Sequence, residues 1–469
     1  MIHRKESVLN DNFKKYKQTF IDSRQGIEDV IVSMAPQMVT LLAGLITSVL
    51  LARNLGPGEM GEYALILSVT GFVAVASDLG IYQTALRFAS RSAALDDKPG
   101  LYAVLRWAFR IRMLLVNMAV LAVFIVAPYI CENIWSLKEL TPLLRVSLLI
   151  SIFTVISSIP TVYLQSLKRF KMNAIVTIVQ TSITLIGIIL ITAFDRWSLG
   201  SVIATSIVAN LIGAFMFINI VPKETFVSLE EIKRPFSFLK KFFQEPETSS
   251  VKTMDTMNPN RFLIYMVIST IIIAITARVD IWLLGFYLDK TQIGIYSVAT
   301  YFTIPLSMLL NAIITAIWPR ASAIRSYDDM IRFLRTTVFL SGLVMVCGIG
   351  YSLAMPLSIP MIFGTAYGSG ILAGQLLCLG YCVALLMCPV VVIGYSFGMV
   401  RYYWLVNLLQ LAIALALNIM LIPRIGIIAP ALAFICYNSG GLIFNFIFIR
   451  SGMKKVDGQK NVIISPCKA

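Results

Sequence analysis

The chain has 469 residues, of which 58% are hydrophobic and 13% charged, with 39 Lys and Arg against 24 Asp and Glu. A mean hydropathy of +0.82 excludes a soluble domain of ordinary composition, and nucleic-acid binding is a poor explanation of the +15 charge, because the basic residues follow a topological pattern set out below. Seven cysteines and one histidine, His3, form no ligand cluster. No metal or disulfide is expected, and Cys347, Cys378, Cys382, Cys388 and Cys436 read as small core residues in apolar runs.

Residues 1–28 are polar and basic, without the short apolar core and small-residue cleavage site of a removable signal, so the first apolar run is expected to direct insertion. A spanning helix needs about 20 apolar residues, since each adds about 1.5 Å across a core about 30 Å thick. Six runs meet that length at 31–52, 63–86, 113–130, 146–164, 174–194 and 199–221, and six more at 262–286, 293–318, 338–362, 371–393, 402–422 and 425–449. Assigning loops to alternate sides gives 32 of the 39 Lys and Arg to the side that holds both termini. The other side receives Arg53, Lys138, Arg145, Arg196, Lys290 and Arg424, and Arg278 falls within a span. The positive-inside rule therefore predicts cytoplasmic termini.

The expected fold is all-α and membrane-integral, with about twelve spans in two six-helix lobes around a central cavity. The predicted divisions are a cytoplasmic N-terminal segment (1–30), a first lobe (31–221), a basic linker (222–261), a second lobe (262–449) and a cytoplasmic tail (450–469). Gly61-Glu62-Tyr63 and Gly294-Ile295-Tyr296 open the second and eighth spans 233 residues apart, which suggests a repeat inserted twice in the same orientation. In the linker, Lys233, Arg234, Lys240 and Lys241 alternate with Phe236, Phe238, Leu239, Phe242 and Phe243. That pattern suits either an interfacial helix on anionic headgroups or an irregular basic connection.

Polar residues recurring every three or four positions mark helix faces turned away from lipid. Such stripes comprise Ser33, Gln37, Thr40, Gly44 and Thr47 in the first span, and Ser147, Ser151, Thr154, Ser158, Thr161 and Gln165 in the fourth. The eighth carries Thr300, Thr303, Ser307, Asn311 and Thr315, and Asn407, Gln410, Asn418, Asn438 and Asn445 add amides to the last two spans. Any one stripe can be explained by close helix packing. Together they predict a hydrated cavity suited to uncharged, hydroxyl-rich material.

A charge at mid-bilayer costs at least about 2.5 kcal/mol, which singles out four residues. Asp78 lies about 23 Å along the second span, with Gln83, Arg87 and Arg91 continuing on one face towards the cytoplasm, and Arg278 and Asp280 lie in the seventh. Arg278, Arg87 and Arg91 are candidates to attract an anionic group in the cavity, joined by Gln37, Asn311, Asn407 and Gln410. Asp78 and Asp280 are candidates for holding partner helices or answering a coupling cation. The opposing reading gives these charges to interhelical salt bridges or to snorkelling at the interface.

The run Leu51-Ala52-Arg53-Asn54-Leu55-Gly56-Pro57, then Gly61-Glu62-Tyr63, then Asp78-Leu79-Gly80 with Arg87 beyond, resembles the start of bacterial polysaccharide flippases. These are the O-antigen and exopolysaccharide translocases of the multidrug, oligosaccharidyl-lipid and polysaccharide exporter superfamily. The resemblance in span count and loop plan covers residues 31–450, and Arg278-Val279-Asp280 sits where that family often has a charged seventh span. It implies a two-lobed bundle in the cytoplasmic membrane that moves a polyprenyl-pyrophosphate oligosaccharide to the outer leaflet, and not an enzyme. The substrate and membrane lipids are then the expected partners, with a glycan polymerase or chain-length regulator as candidate protein partners. No nucleotide-binding motif occurs, so no cofactor is expected beyond H+ or Na+ coupling. Two further readings stay open: a cation-coupled drug or metabolite antiporter of the same superfamily, and a membrane enzyme that polymerises or ligates lipid-linked glycans. The second is disfavoured by short outer loops without histidine.

Overall fold

In the computed structural model, residues 2–226, 259–322, 327–396 and 400–463 are described. The basic linker lies outside them. Side chains are described from Met38 onward, so Ser33 and Gln37 fall outside, as does the side chain of Thr315.

Fourteen α-helices are found among the described residues. In the first half they are α1 (Ile2–Ala76), α2 (Ile81–Ala94), α3 (Lys98–Tyr129), α4 (Thr141–Ser166), α5 (Phe170–Ala193) and α6 (Leu199–Ile220). The second half contains α7 (Pro259–Thr276), α8 (Val279–Tyr287), α9 (Lys290–Ser322), α10 (Tyr327–Leu353), α11 (Met355–Phe363), α12 (Ile371–Ser396), α13 (Val400–Ile425) and α14 (Ile428–Ile463).

Ten helices are long and apolar enough to cross a membrane, and the pair 267–276 and 279–287, bent by 41°, makes an eleventh. One of the ten, Met38–Ala76, has 39 residues, or about 58 Å of helix, roughly twice the hydrocarbon thickness. It is interrupted at Gly56 (φ 71°, ψ 174°). A left-handed φ before a proline is cheap only for glycine, and Pro57 suits the first turn of the helix that follows. Counted as two passes on either side of Gly56, α1 brings the total among the described residues to twelve. Large apolar side chains point outward as a lipid-facing surface requires: Ile125 and Phe215 are each 66% exposed and Leu357 is 77% exposed. The chain is a multi-pass membrane protein, helical throughout the membrane-crossing segments among the described residues.

The second predicted span departs from expectation. The sequence reads as one run over 63–86, whereas the helix stops at Ala76 and restarts at Ile81. Leu79 (φ 46°) and Gly80 (φ 76°) both adopt left-handed backbone between the two, which ends an α-helix in the way a glycine C-terminal cap does. The apolar pattern of Ile81, Ala85 and Ala89 continues past the break because α2 buries that face against α3 and α4.

The halves correspond element by element. A shift of 233 residues places the 57–76 arm of α1 on the start of α9, α3 on α10 and α11, and α5 on α13. The strongest packing between halves is α1 against α9, with α7 and α8 also touching α1. At the end bearing Gly61 and Gly294, one apolar core spans both halves and includes Leu51, Met60, Leu65, Ile293, Tyr296 and Phe363. At the opposite end the cores are separate: Ile81, Leu105, Ile159 and Phe217 belong to the first half alone, and Ile317, Cys388 and Val392 to the second. Among the described residues the two halves thus share one apolar core at the sealed end and keep separate cores at the other, here called the parted end.

Candidate functional site: the seam between the halves

The sealed end is built on two glycines. A Cβ on Gly61 would overlap the Lys290 carbonyl, and one on Gly294 would overlap the Pro57 carbonyl. Each glycine therefore faces the carbonyl four residues before the other, a reciprocal contact that the matching Gly-x-Tyr triplets create. Helix backbones approach this closely only through small residues.

Side chains lock the same end. Lys290 Nζ pairs with Glu62 Oε1 at 2.7 Å. Arg53 Nε donates to the Ile362 carbonyl at 2.7 Å and its Nη2 to the Met361 carbonyl at 2.6 Å, so a guanidinium caps the C-terminal end of α11. The Tyr367 hydroxyl donates to the Ala52 carbonyl at 2.7 Å.

Further along the seam, α8 lies on the 57–76 arm of α1. Gly285 packs against Leu65 and Trp135. Trp282 Nε1 donates to Ser68 Oγ at 3.0 Å, and its ring meets Phe72 edge-on at 5.0 Å. One turn before Trp282, at the bend between α7 and α8, the Arg278 guanidinium lies over Gly71, whose Cβ would stand 2.8 Å from Nη2. Arg278 is half-buried and makes no ion pair among the described residues.

Asp280 turns away from this contact into the second half. Its Oδ2 accepts from the Tyr296 hydroxyl at 2.8 Å and its Oδ1 from the Ile281 N–H at 2.8 Å. Tyr381 and Tyr437 are within its electrostatic reach. Among the described residues it makes no salt bridge, and the Arg278 charge two residues away also acts on it.

Asp78 has a different setting. It occupies the turn between α1 and α2, where Oδ1 stands 3.3 Å from Arg112 Nε and accepts the Tyr82 N–H at 3.1 Å. Tyr82 in turn donates to Gln165 Oε1 at 3.0 Å. Arg112 is 6% exposed and lies on α3, so this network ties the turn to α3 and α4. Sequence reasoning missed Arg112 because it precedes an apolar run taken to begin at Met113 and was counted with the loop. The signal available was Asp78 itself, since a carboxylate at that depth needs a partner.

Beyond the turn, Gln83, Arg87 and Arg91 share the exposed face of α2, opposite Ile81, Ala85 and Ala89. Neither arginine has an ion-pair partner among the described residues. Asn311 is exposed on α9, with its Nδ2 donating to the Ser307 carbonyl at 3.0 Å. Asn407 is half-buried on α13.

Several stripe residues serve helix contacts. Ser151 donates to the Thr70 carbonyl at 2.8 Å and Gln165 accepts from Tyr82, so these two stripe residues on α4 face α1 and α2, while Thr154 reaches Asn210 on α6. Gln180 Nε2 donates to Asn210 Oδ1 at 2.9 Å between α5 and α6, and Thr40 lies 3.4 Å from Thr181. Gln410 Nε2 donates to the Tyr437 carbonyl at 3.3 Å and packs on Gly441, which joins α13 to α14. Asn418, Asn438 and Asn445 are buried and donate to carbonyls one turn back in their own helices. The residues brought to the seam are therefore Arg278, Trp282 and their contacts on α1. Gly71 and Trp282 escaped attention because neither carries a charge.

Residues 27–325 match a family described as "Polysaccharide biosynthesis protein". No curated protein matches the sequence. Among solved structures, one titled an inward-facing multidrug resistance MATE transporter of the MOP superfamily aligns at a TM-score of 0.64 and 13% identity, over 91% of this chain and 99% of that one. The lipid II flippase MurJ, in an inward closed conformation, aligns at 0.65 and 17% identity, covering 90% of this chain and 87% of its own. A MOP superfamily transporter from Pyrococcus furiosus aligns at 0.56 and 13% identity over 92% and 95% of the two chains. At these identities the likeness establishes the fold.

Proposed function

As the chain belongs to the polysaccharide biosynthesis protein family, we propose that it is a flippase that carries a polyprenyl-pyrophosphate-linked oligosaccharide from the cytoplasmic to the outer leaflet of the cytoplasmic membrane. One observation carries this reading: an arginine that makes no salt bridge among the described residues, Arg278, stands on the seam where the two halves meet. A guanidinium held there offers a forked set of donors to a diphosphate, while the polyprenyl chain stays in the bilayer.

The positive-inside rule assigns the sealed end, with Arg53, Glu62 and Lys290, to the outside and the parted end to the cytoplasm. This is the inward-open state of an alternating-access cycle. In it Arg87 and Arg91, on the exposed face of α2, meet the headgroup before Arg278 does. Passage outward breaks the Lys290–Glu62 pair and the Arg53 cap, and closes the two separate cores upon each other. Asp280, bonded to a tyrosine hydroxyl and free of a basic ion-pair partner among the described residues, is the group we assign to coupling with H+ or Na+. A titratable carboxylate that accepts from a hydroxyl rather than from a guanidinium can exchange a proton or a cation.

The same carboxylate favours a second reading, a cation-coupled antiporter of small molecules. Translocation assays in proteoliposomes separate the two. Polyprenyl-pyrophosphate oligosaccharide should cross with the intact protein and fail to cross with Arg278→Ala. Well-folded protein that moves no lipid-linked glycan but exchanges organic cations for protons, in a manner abolished by Asp280→Asn, would establish the antiporter instead.

A further inference from the structure

We propose that Gly71 is a positioning residue: it provides the notch in α1 that sets the Arg278 guanidinium across the seam, at the height where the diphosphate is bound. The inference rests on the reading of Arg278 as the anion-binding group.

Glycine inside a helix is destabilising relative to alanine, so a helical glycine calls for a reason. Gly71 has no left-handed φ that would demand it, unlike Gly56 and Gly80. What it has is a neighbour. All three nearest atoms to its Cβ position belong to the Arg278 guanidinium, with Nη2 at 2.8 Å, Cζ at 3.4 Å and Nε at 3.6 Å. On either side, Ser68 takes the Trp282 indole N–H and Phe72 takes its ring. Ser68, Gly71 and Phe72 thus form one face of α1 that receives Arg278 and Trp282, four residues apart at the start of α8.

The repeat supplies an internal control. A shift of 233 residues pairs Gly71 with Ile304 and Arg278 with Leu45, both apolar. The seam as such therefore requires neither a glycine nor an arginine at these places, and the combination exists on one side of the pseudo-twofold axis only. Because the atoms that an added methyl meets are the end of a flexible side chain, Gly71→Ala should fold and move the guanidinium without removing it.

The test is binding of sugar-free polyprenyl pyrophosphate to purified protein in nanodiscs, by calorimetry, for the intact chain, Gly71→Ala, Arg278→Ala and the double variant. Gly71→Ala should weaken binding about tenfold, the scale of one displaced charge-assisted hydrogen bond, and should have no further effect once Arg278 is alanine. Ser68→Ala, which frees Trp282, should act in the same direction to a smaller degree, and also only while Arg278 is present. Should Gly71→Ala not fold, Ser68→Ala carries the same test. Binding that falls in Arg278→Ala but stays intact in Gly71→Ala and Ser68→Ala would overturn the positioning role and leave the functional reading standing. Equal losses with and without Arg278 would make Gly71 a packing residue and overturn the inference. Binding indifferent to Arg278→Ala, or no binding by the intact chain, would remove the premise as well.

Discussion

The 57–76 arm of α1 in the first half and its counterpart in the second half, α9, begin alike and end differently. Both open on Gly-x-Tyr and press their glycines together, yet the first breaks after Ala76 while α9 continues unbroken from Lys290 to Ser322. Asp78 marks the break, and 233 residues on, in the same register, stands Asn311. The first half thus holds a carboxylate in a turn and neutralises it with Arg112 from α3, while the second half keeps its helix straight and places its carboxylate, Asp280, under a tyrosine hydroxyl. A carboxylate paired with a buried arginine is part of the scaffold, because its loss strands the guanidinium. One held by a hydroxyl can change its charge without tearing the structure. On this view the first half is the more rigid body and the second contains the responsive group.

The largest expected effect concerns what the halves share. Gly61→Ala and Gly294→Ala should each cut translocation more than tenfold, since the methyl of either meets a backbone carbonyl that cannot turn aside. Their double variant should be less than additive, as both disturb one crossing. Gly58→Ala, with only Lys290 Cε at 3.8 Å, should transport normally in the same proteoliposomes, and unequal effects at Gly61 and Gly294 would break the symmetry argument.

Next in size is the contrast between the carboxylates. Arg112→Leu should lower unfolding stability in detergent by about 3 kcal/mol, the scale for breaking a buried pair. Asp280→Asn should cost under about 1 kcal/mol, because the amide oxygen still accepts from Tyr296, and should instead abolish dependence of transport on the ion gradient. If Asp280→Asn proved the more destabilising of the two, the division into scaffold and responsive group would fail.

A smaller effect, about 1 kcal/mol in the same melts, is expected for Gly80→Ala, whose left-handed backbone (φ 76°) penalises a side chain. Smallest is Lys290→Ala. An exposed pair contributes at most about 1 kcal/mol to stability, so this change should leave the melt within about 0.5 kcal/mol and speed the opening of the sealed end, seen as faster labelling of a cysteine placed at Met60, which is buried there.

How far the sequence foretells this arrangement depends on what each feature rests on. Apolar runs and the distribution of Lys and Arg suffice for the helices, because length and desolvation of the backbone leave few alternatives in a bilayer. Gly56-Pro57 is legible as a break, since proline and glycine carry their own backbone preferences. The stop at residues 77–80 is not, because Ile81 and Ala85 keep the apolar pattern going for the sake of α3 and α4 rather than for lipid. Arg278 stands out by charge, but Gly71 beneath it and Arg112 opposite Asp78 become visible only when helices distant in sequence are set side by side. The stripe on α4 shows the converse: serine spacing announces a face turned from lipid, and only the contact of Ser151 with Thr70 reveals that the face meets protein.

The reciprocal glycine crossing also has a bearing on how such a chain arises. A contact in which residue i of one unit meets residue i−4 of its mate, and the reverse, has the form of an isologous interface between two identical subunits. Here the two subunits are joined in one polypeptide, and the symmetry operator survives as a numerical offset. A six-span ancestor carrying this glycine would have met its own twin across the same crossing, with one gene sufficing for both sides. Joined in one chain, the sides are free to differ, and an arginine in a glycine notch stands on one side of the axis where leucine and isoleucine occupy the other.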